Sequence, residues 1–274
     1  MTPPAEAPDL PRELLEVARE AARAGADVAA RWRTRADALD VEEKADPGDL
    51  VSQADRETED AVRAVLAVRR PDDGVLGEED GERPGSTAVR WVVDPVDGTT
   101  NYLYGRPDWA VSVAAMAPDG RVLAGVVVEP AVGRTTWAAA GGGTWADGRR
   151  VPDLRQDDLV RALVELNLGR GPQRGRSGRL LDALVPRVRD VRRGGSAAVA
   201  LAQVATRRAD AAWVPGLQPW DCAAGVLLVA EAGGVVGDLA GPTPGAVPAS
   251  GDVLAAPVAL WEPLRALLAP VYAD

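Results

Sequence analysis

At 274 residues and 46% hydrophobic side chains, the chain is long enough for one large domain or two of ordinary size, with ample material for a core. A net charge of −10 argues against a nucleic-acid partner, and no apolar run reaches the roughly 18–20 residues of a membrane-spanning helix. Residues 1–12 are polar, acidic and Pro-rich with no secretory signature, so a cytoplasmic protein is expected. The chain has no His, which excludes a Ser-His-Asp triad, a phosphohistidine route and His-ligated zinc. The lone Cys222 leaves no intrachain disulfide and reads as a small buried hydrophobe. Any phosphate chemistry must rest on carboxylates with metals, or on an aspartyl nucleophile.

In chain order, residues 10–33 place Leu14, Val17, Ala18, Ala21, Ala22 and Ala26 at helical spacing, which predicts an amphipathic helix. A polar stretch follows, carrying the only lysine, Lys44, in a chain that otherwise uses Arg; one surviving Lys suggests a position where Arg does not fit. The plainer alternative is an exposed chance residue. A second helix is predicted over 55–69 and a short strand over 75–77, ending at Glu78. Residues 89–93 read as a buried strand that stops at Asp94-Pro95. Runs over 109–116 and 121–129 flank Pro118-Asp119-Gly120, a hairpin signal, and runs over 135–139 and 144–151 extend the set.

The second half alternates. Strands are predicted over 162–167, 190–193, 210–214, 235–238 and 253–256, and helices over 179–188, 196–205, 221–232 and 260–268. Two helices followed by antiparallel strands, then a βαβ rhythm, give an α+β half over 1–150 and an α/β half with a mixed or parallel sheet over 151–274.

The stretch Trp91-Val92-Val93-Asp94-Pro95-Val96-Asp97-Gly98-Thr99-Thr100-Asn101 organises the chain. Asp94 and Asp97 sit three residues apart in a tight loop stiffened by Pro95. Gly98 allows close backbone approach, and Thr99 offers an N–H and a hydroxyl. Hard oxygen ligands on a rigid turn suit Mg²⁺, and N–H groups beyond them suit a phosphate. Taken alone, Asp-Pro-Val-Asp-Gly reads equally as an ordinary turn. Asp221, at the head of an apolar helix, reads alone as an N-cap.

Gly77-Glu78-Glu79 upstream and Pro219-Trp220-Asp221-Cys222-Ala223-Ala224-Gly225 downstream complete a pattern from about Lys44 to Gly234. In order and content it resembles the inositol monophosphatase family of Mg²⁺-dependent, lithium-sensitive sugar phosphatases. The resemblance implies the layered αβαβα sandwich of the sugar phosphatase fold, with its site between an antiparallel-sheet half and a mixed-sheet half. It implies two or three Mg²⁺ per site. Glu78, Asp94 and the Val96 carbonyl would hold the first, and Asp94, Asp97 and Asp221 the second. Asp55 and Glu78 are candidates for a third, and Glu79 is expected to point elsewhere. Glu78 and Thr99 would orient and deprotonate the attacking water, with Asp55 bonded to Thr99 and Lys44 in support. Gly98 and Thr99 N–H groups would cradle the phosphate. Gly195, Ser196 and Ala197, with Asp97 and Asp221, are the implied substrate side. A homodimer is also implied.

One position departs from the family. The Glu that usually stands seven residues before the ligand matching Asp221, and reads polyol hydroxyls, is here Val214. Arg170, Arg174 or Arg176, in the Gly- and Arg-rich segment 167–178, are candidates for a second anionic group, or simply a solvated basic loop. The expected activity is hydrolysis of a small soluble phosphate ester, inositol 1-phosphate first. Histidinol phosphate, a sugar phosphate or a 3′-phosphonucleotide follow, and a non-catalytic regulator on this fold is the rival from another class. An aspartyl-phosphate route would want an Asp-x-Asp-x-Thr arrangement early in the chain, and none is seen.

Overall fold

The computed structural model describes residues 10–35, 41–43, 50–169 and 171–273; Lys44 and Arg170 lie outside the described residues. Helix α1 (Leu10–Arg33) buries Leu14, Val17, Ala18, Ala21, Ala22, Gly25, Ala26 and Ala29, a stripe with alternating steps of three and one. A short hairpin, β1 (Val41–Glu43) and β2 (Leu50–Ser52), leads into α2 (Gln53–Arg69). The two helices cross closely at Gly25, where a Cβ would come within 2.7 Å of Val62 Cγ2. They cover one face of an eight-stranded sheet, packing Leu14, Val17, Val62 and Leu66 on Trp91, Val93, Val111 and Val126.

That sheet comprises β3 (Gly74–Gly77), β4 (Gly81–Arg83), β5 (Arg90–Asp97), β6 (Ala110–Met116), β7 (Val122–Glu129), β8 (Arg134–Ala139), β9 (Thr144–Ala146) and β10 (Arg149–Arg150), in the order β10-β9-β8-β7-β6-β5-β3-β4. All neighbours are antiparallel except β3 and β5. The expected hairpins form at Asp119-Gly120 and Asp147-Gly148, and Gly120, Asp147 and Gly148 all have positive φ. Strand β4 has no counterpart in the sequence reading.

The second sheet holds β11 (Leu163–Leu166), β12 (Asp190–Arg192), β13 (Ala211–Val214), β14 (Gly234–Asp238), β15 (Gly241–Pro242) and β16 (Val253–Pro257), ordered β12-β11-β13-β16-β14-β15. Only β12-β11-β13 run parallel, so the sheet is mixed. Helices α5 (Ala197–Ala205) and α6 (Pro219–Glu231) fill the space between the sheets. Their small residues meet Val92, Ala110, Ala114 and Val127 on one side and Ala212, Val214, Val253 and Ala255 on the other. Helices α4 (Ser177–Leu184) and α7 (Val258–Tyr272) cover the far face through Leu180, Leu184, Leu260, Trp261 and Leu264. The layers are αβαβα, as the sequence suggests.

Several boundaries differ from expectation, and helix α4 ends at Leu184 instead of 188. Strand β5 does not stop at Asp94-Pro95 but runs on to Asp97. Its partners step from Asp94↔Ser112 to Asp97↔Ala110, three positions against two, so Pro95 falls in a bulge where the ladder needs no donor. A short helix, α3 (Thr99–Leu103), follows at once. Helix α6 starts at Pro219, not Asp221, because Pro suits the first helical turn. Helix α7 outruns 260–268 and takes in Pro263 and Pro270.

Candidate active site

The bulge in β5 turns Asp94 and Asp97 toward the middle layer. Asp94 is fully buried and Asp97 nearly so. Asp221, on the first turn of α6, comes up from the middle layer. One carboxylate oxygen from each of Asp94, Asp97 and Asp221 lies within 4.8 Å of the others. Asp94 Oδ1 accepts the Val96 N–H at 3.0 Å, while Asp94 Oδ2 is buried with no hydrogen-bond partner. Asp221 is the third residue of α6 and not its N-cap; its Oδ2 accepts the Gln218 N–H at 2.6 Å.

Glu78 follows β3, and its N–H donates to Val93 O at 3.2 Å, which extends the β3–β5 ladder by one residue. Its loop is held from beneath by Glu59, a residue the sequence reading missed. Glu59 is fully buried and accepts the Glu79 N–H at 2.8 Å, the Asp80 N–H at 3.2 Å and Arg63 Nε at 2.7 Å. A Cβ on Gly77 would stand 2.0 Å from Glu59 Oε1, so the Gly-Glu-Glu turn requires glycine at its head. A signal was present: Asp55, Glu59, Val62 and Leu66 share one face of α2 and all are buried. Two acids on an apolar stripe need partners.

Asp55 is 1% exposed and receives the Thr99 hydroxyl at 3.3 Å. The same hydroxyl lies 3.1 Å from Val96 O, so its one proton has two acceptors in reach. That carbonyl retains a second lone pair. Gly98 has φ 96°, and a Cβ there would stand 2.9 Å from Asp108 O and 3.2 Å from Ser196 Cβ. Glycine is required on both counts.

The substrate-side motif splits in two. Ser196 caps α5: it accepts the Val199 N–H at 3.1 Å and donates to Asp97 Oδ2. Asp97 Oδ2 also accepts the Ala198 N–H at 2.6 Å. The Ser196 and Ala197 side chains are both buried, so the part of the motif open to a ligand is the Gly194–Gly195 backbone. Asn101, also missed, ties this loop to the Asp94 loop: its Nδ2 donates to Gly194 O at 2.7 Å and to Asp108 O at 2.6 Å. The buried Glu165 on β11 takes the Gly194 N–H from the other side, and its burial raises its pKa. Val214 is buried in the inter-sheet core. Of the basic loop, Arg176 sits 5.5 Å over the Tyr272 ring, whereas Arg174 lies near Arg193.

The electrostatics of the cluster are set by burial and by like charge. Burial lifts Asp94 well above the ordinary carboxylate range, and the charges of Glu78, Asp97, Asp221 and Asp55 lift it further. Burial and Asp221 bring Asp97 to about 7 against the opposing bonds from Ser196 and Ala198. The charges acting most strongly on both are acidic. Burial and Asp221 also raise the Cys222 thiol well above its usual value, which leaves it inert. Clustered oxygen donors and an orphaned Asp94 oxygen fit a hard divalent cation.

A layered αβαβα chain with buried carboxylates at a strand bulge defines the class: an enzyme scaffold whose acidic cluster could hold metal. The model of the inositol monophosphatase family matches residues 10–272. An inositol-1-monophosphatase of Mesorhizobium japonicum is 44% identical over 199 residues, 71% of this chain and 74% of its own. A Nus factor SuhB of Pseudomonas aeruginosa is 39% identical over 83% of this chain and 86% of its own. The crystal structure of the extragenic suppressor protein suhB from Bartonella henselae matches with a TM-score of 0.87 and 34% identity, covering 93% of this chain and 98% of that one. The chain belongs to the inositol monophosphatase family, whose members named above include phosphoric monoester hydrolases.

Proposed function

We propose that the protein is a Mg²⁺-dependent phosphomonoesterase acting on a small soluble phosphate ester, with inositol 1-phosphate the first to assay. The observations that carry this are the convergence of Asp94, Asp97 and Asp221 and the buried, unpartnered Asp94 Oδ2. Asp94, Asp97, Asp221, Glu78 and the Val96 carbonyl would hold the cations. Mg²⁺ bound there would neutralise the phosphoryl oxygens, activate water and stabilise the leaving alkoxide.

The chain's own groups do the rest. Thr99 Oγ1 takes the proton of the attacking water and passes its own to Asp55 Oδ1, with Glu78 orienting that water. The Gly98 and Thr99 N–H groups turn the phosphate in line. The Gly194–Gly195 backbone, fixed by Asn101 and Glu165, borders the alcohol. Lithium inhibition, a homodimer and a cytoplasmic setting follow from the family reading.

Phosphate release across inositol 1-phosphate, histidinol phosphate, sugar phosphates and a 3′-phosphonucleotide, with and without Mg²⁺, tests it. Activity that needs Mg²⁺ and is lost in Asp94→Asn supports it; full activity in that variant overturns the metal assignment. The Nus-factor relatives favour a second reading, contact with transcription machinery. The retained carboxylates argue against that as the sole role, since a pure scaffold has no use for them.

A further inference from the structure

Strands β12, β11 and β13 run parallel, and the carboxyl ends of such strands are where open α/β sheets hold ligands. The two outer strands lead straight to the acidic cluster. β12 runs into Gly194, Gly195 and Ser196, whose hydroxyl donates to Asp97. β13 runs into the segment before α6, which carries Asp221. β11 lies between them, and Glu165 is its residue facing the middle layer. Val164 and Leu166 pack with Trp213 and Leu254 on the far side, whereas Ala212, the register partner of Glu165, packs with α5 and α6.

Glu165 is 4% exposed and short of partners. Of the three buried glutamates among the described residues, Glu59 holds Arg63 and Glu129 holds Arg134 and Arg208, but Glu165 pairs with no cation. Burial raises its pKa; the Gly194 N–H opposes that, as does Arg192, which is itself bound to Asp190 at 2.6 Å. The Gly194 N–H is one donor, and two carboxylate oxygens can accept about four. A carboxylate buried on those terms is costly unless further donors reach it. There is room for them. Chain neighbours aside, a Cβ built on Gly194 would meet one atom within 4 Å among the described residues, Glu165 Oε2 at 3.4 Å. The half-buried loop thus leaves open space edged by that oxygen. On the next strand Val214 is apolar and buried, so a hydroxyl arriving beside β13 finds its acceptor on β11.

We propose that Glu165 is a specificity-determining residue whose carboxylate accepts hydrogen bonds from hydroxyls on the alcohol half of the substrate, which makes the favoured ester that of a polyol. Acceptor-only when ionised, the carboxylate suits hydroxyl donors and offers nothing to a bare hydrocarbon leaving group. This rests on the phosphatase reading and deepens it, and it keeps inositol 1-phosphate among the favoured esters.

The test measures phosphate release at saturating Mg²⁺ from matched pairs that differ in hydroxyls alone: inositol 1-phosphate against cyclohexyl phosphate, and glycerol 2-phosphate against isopropyl phosphate. In at least one pair the parent is expected to favour the hydroxylated ester about tenfold in kcat/KM, mostly through KM. Glu165→Gln keeps the volume and an acceptor for the Gly194 N–H but loses the charge, and it should shrink that preference several-fold. If the amide lowers the melting temperature, Glu165→Asp, which keeps the charge but withdraws it by one methylene, takes its place with the same expectation. A residue that merely braced the loop would slow both esters of a pair alike and leave their ratio as it was. No preference in the parent, or a preference that survives the substitution, overturns the proposal. Failure of the parent to release phosphate from all four esters and from p-nitrophenyl phosphate overturns the phosphatase reading itself, and the proposal with it.

Discussion

At the scale of single residues, the site trades stability for charge. Asp94 is fully buried with one oxygen unpartnered, and it is ringed by acids. Asp94→Asn keeps the acceptor for the Val96 N–H and adds an N–H₂ toward neighbouring carboxylates. The metal-free variant should therefore be more stable than the parent by about 1–2 kcal/mol while losing phosphate release; paired melting curves and assays check both. Thr99→Val removes the hydroxyl bonded to Asp55 with little change in volume. It should lower kcat by about 10²–10⁴-fold with a small change in KM, read from steady-state kinetics. The residues that the sequence made legible are those clustered within one turn, Asp94, Asp97, Gly98 and Thr99. Asn101 lies in the same motif, yet its role was hidden because its partner Gly194 is 93 positions away. Ser196 was placed correctly at a helix start, and its hydroxyl donates to Asp97.

At the scale of elements, the site depends on irregularities in otherwise ordinary strands and helices. The β5 bulge turns two carboxylates inward, and sequence reading took Pro95 for a strand end because a proline is a poor ladder member anywhere but a bulge. Strands β4 and β15 were illegible because three residues and two residues carry no periodicity; their pairing with β3 and β14 makes them strands. Glu59 joins α2 to the Glu78 turn. Glu59→Ala leaves the Glu79 and Asp80 N–H groups and Arg63 without that carboxylate. A loss of about 3 kcal/mol in denaturant unfolding is expected, along with weaker Mg²⁺ activation through the displaced Glu78. On the substrate side, Asn101→Ala releases the Gly194 loop from the Asp94 loop and should raise KM more than it lowers kcat.

At the scale of the molecule, two sheets close on a middle layer of α5 and α6, and the halves are pinned across it. Glu231 accepts the Gly141 and Gly143 N–H groups at 2.7 and 2.8 Å, and Arg208 reaches Glu129 Oε1 at 2.8 Å. The acidic cluster sits at that junction, so its protonation bears on the whole fold. Asp97 has a folded pKa of about 7 against an ordinary 3.8. Between those values the folded state holds a proton the unfolded state has lost. Its contribution to stability is therefore present at low pH and lost as pH rises through 7. Cations held by the cluster would remove the repulsion and reverse this dependence. The most direct measurement is thermal unfolding of chelator-stripped protein between pH 5 and pH 8, with and without millimolar Mg²⁺, for the parent and Asp94→Asn. The expected result is a melting temperature that falls with pH in the stripped parent, recovers with Mg²⁺ at pH 8, and responds weakly to Mg²⁺ in the variant. A parent whose melting temperature at pH 8 is indifferent to Mg²⁺ would contradict the metal centre.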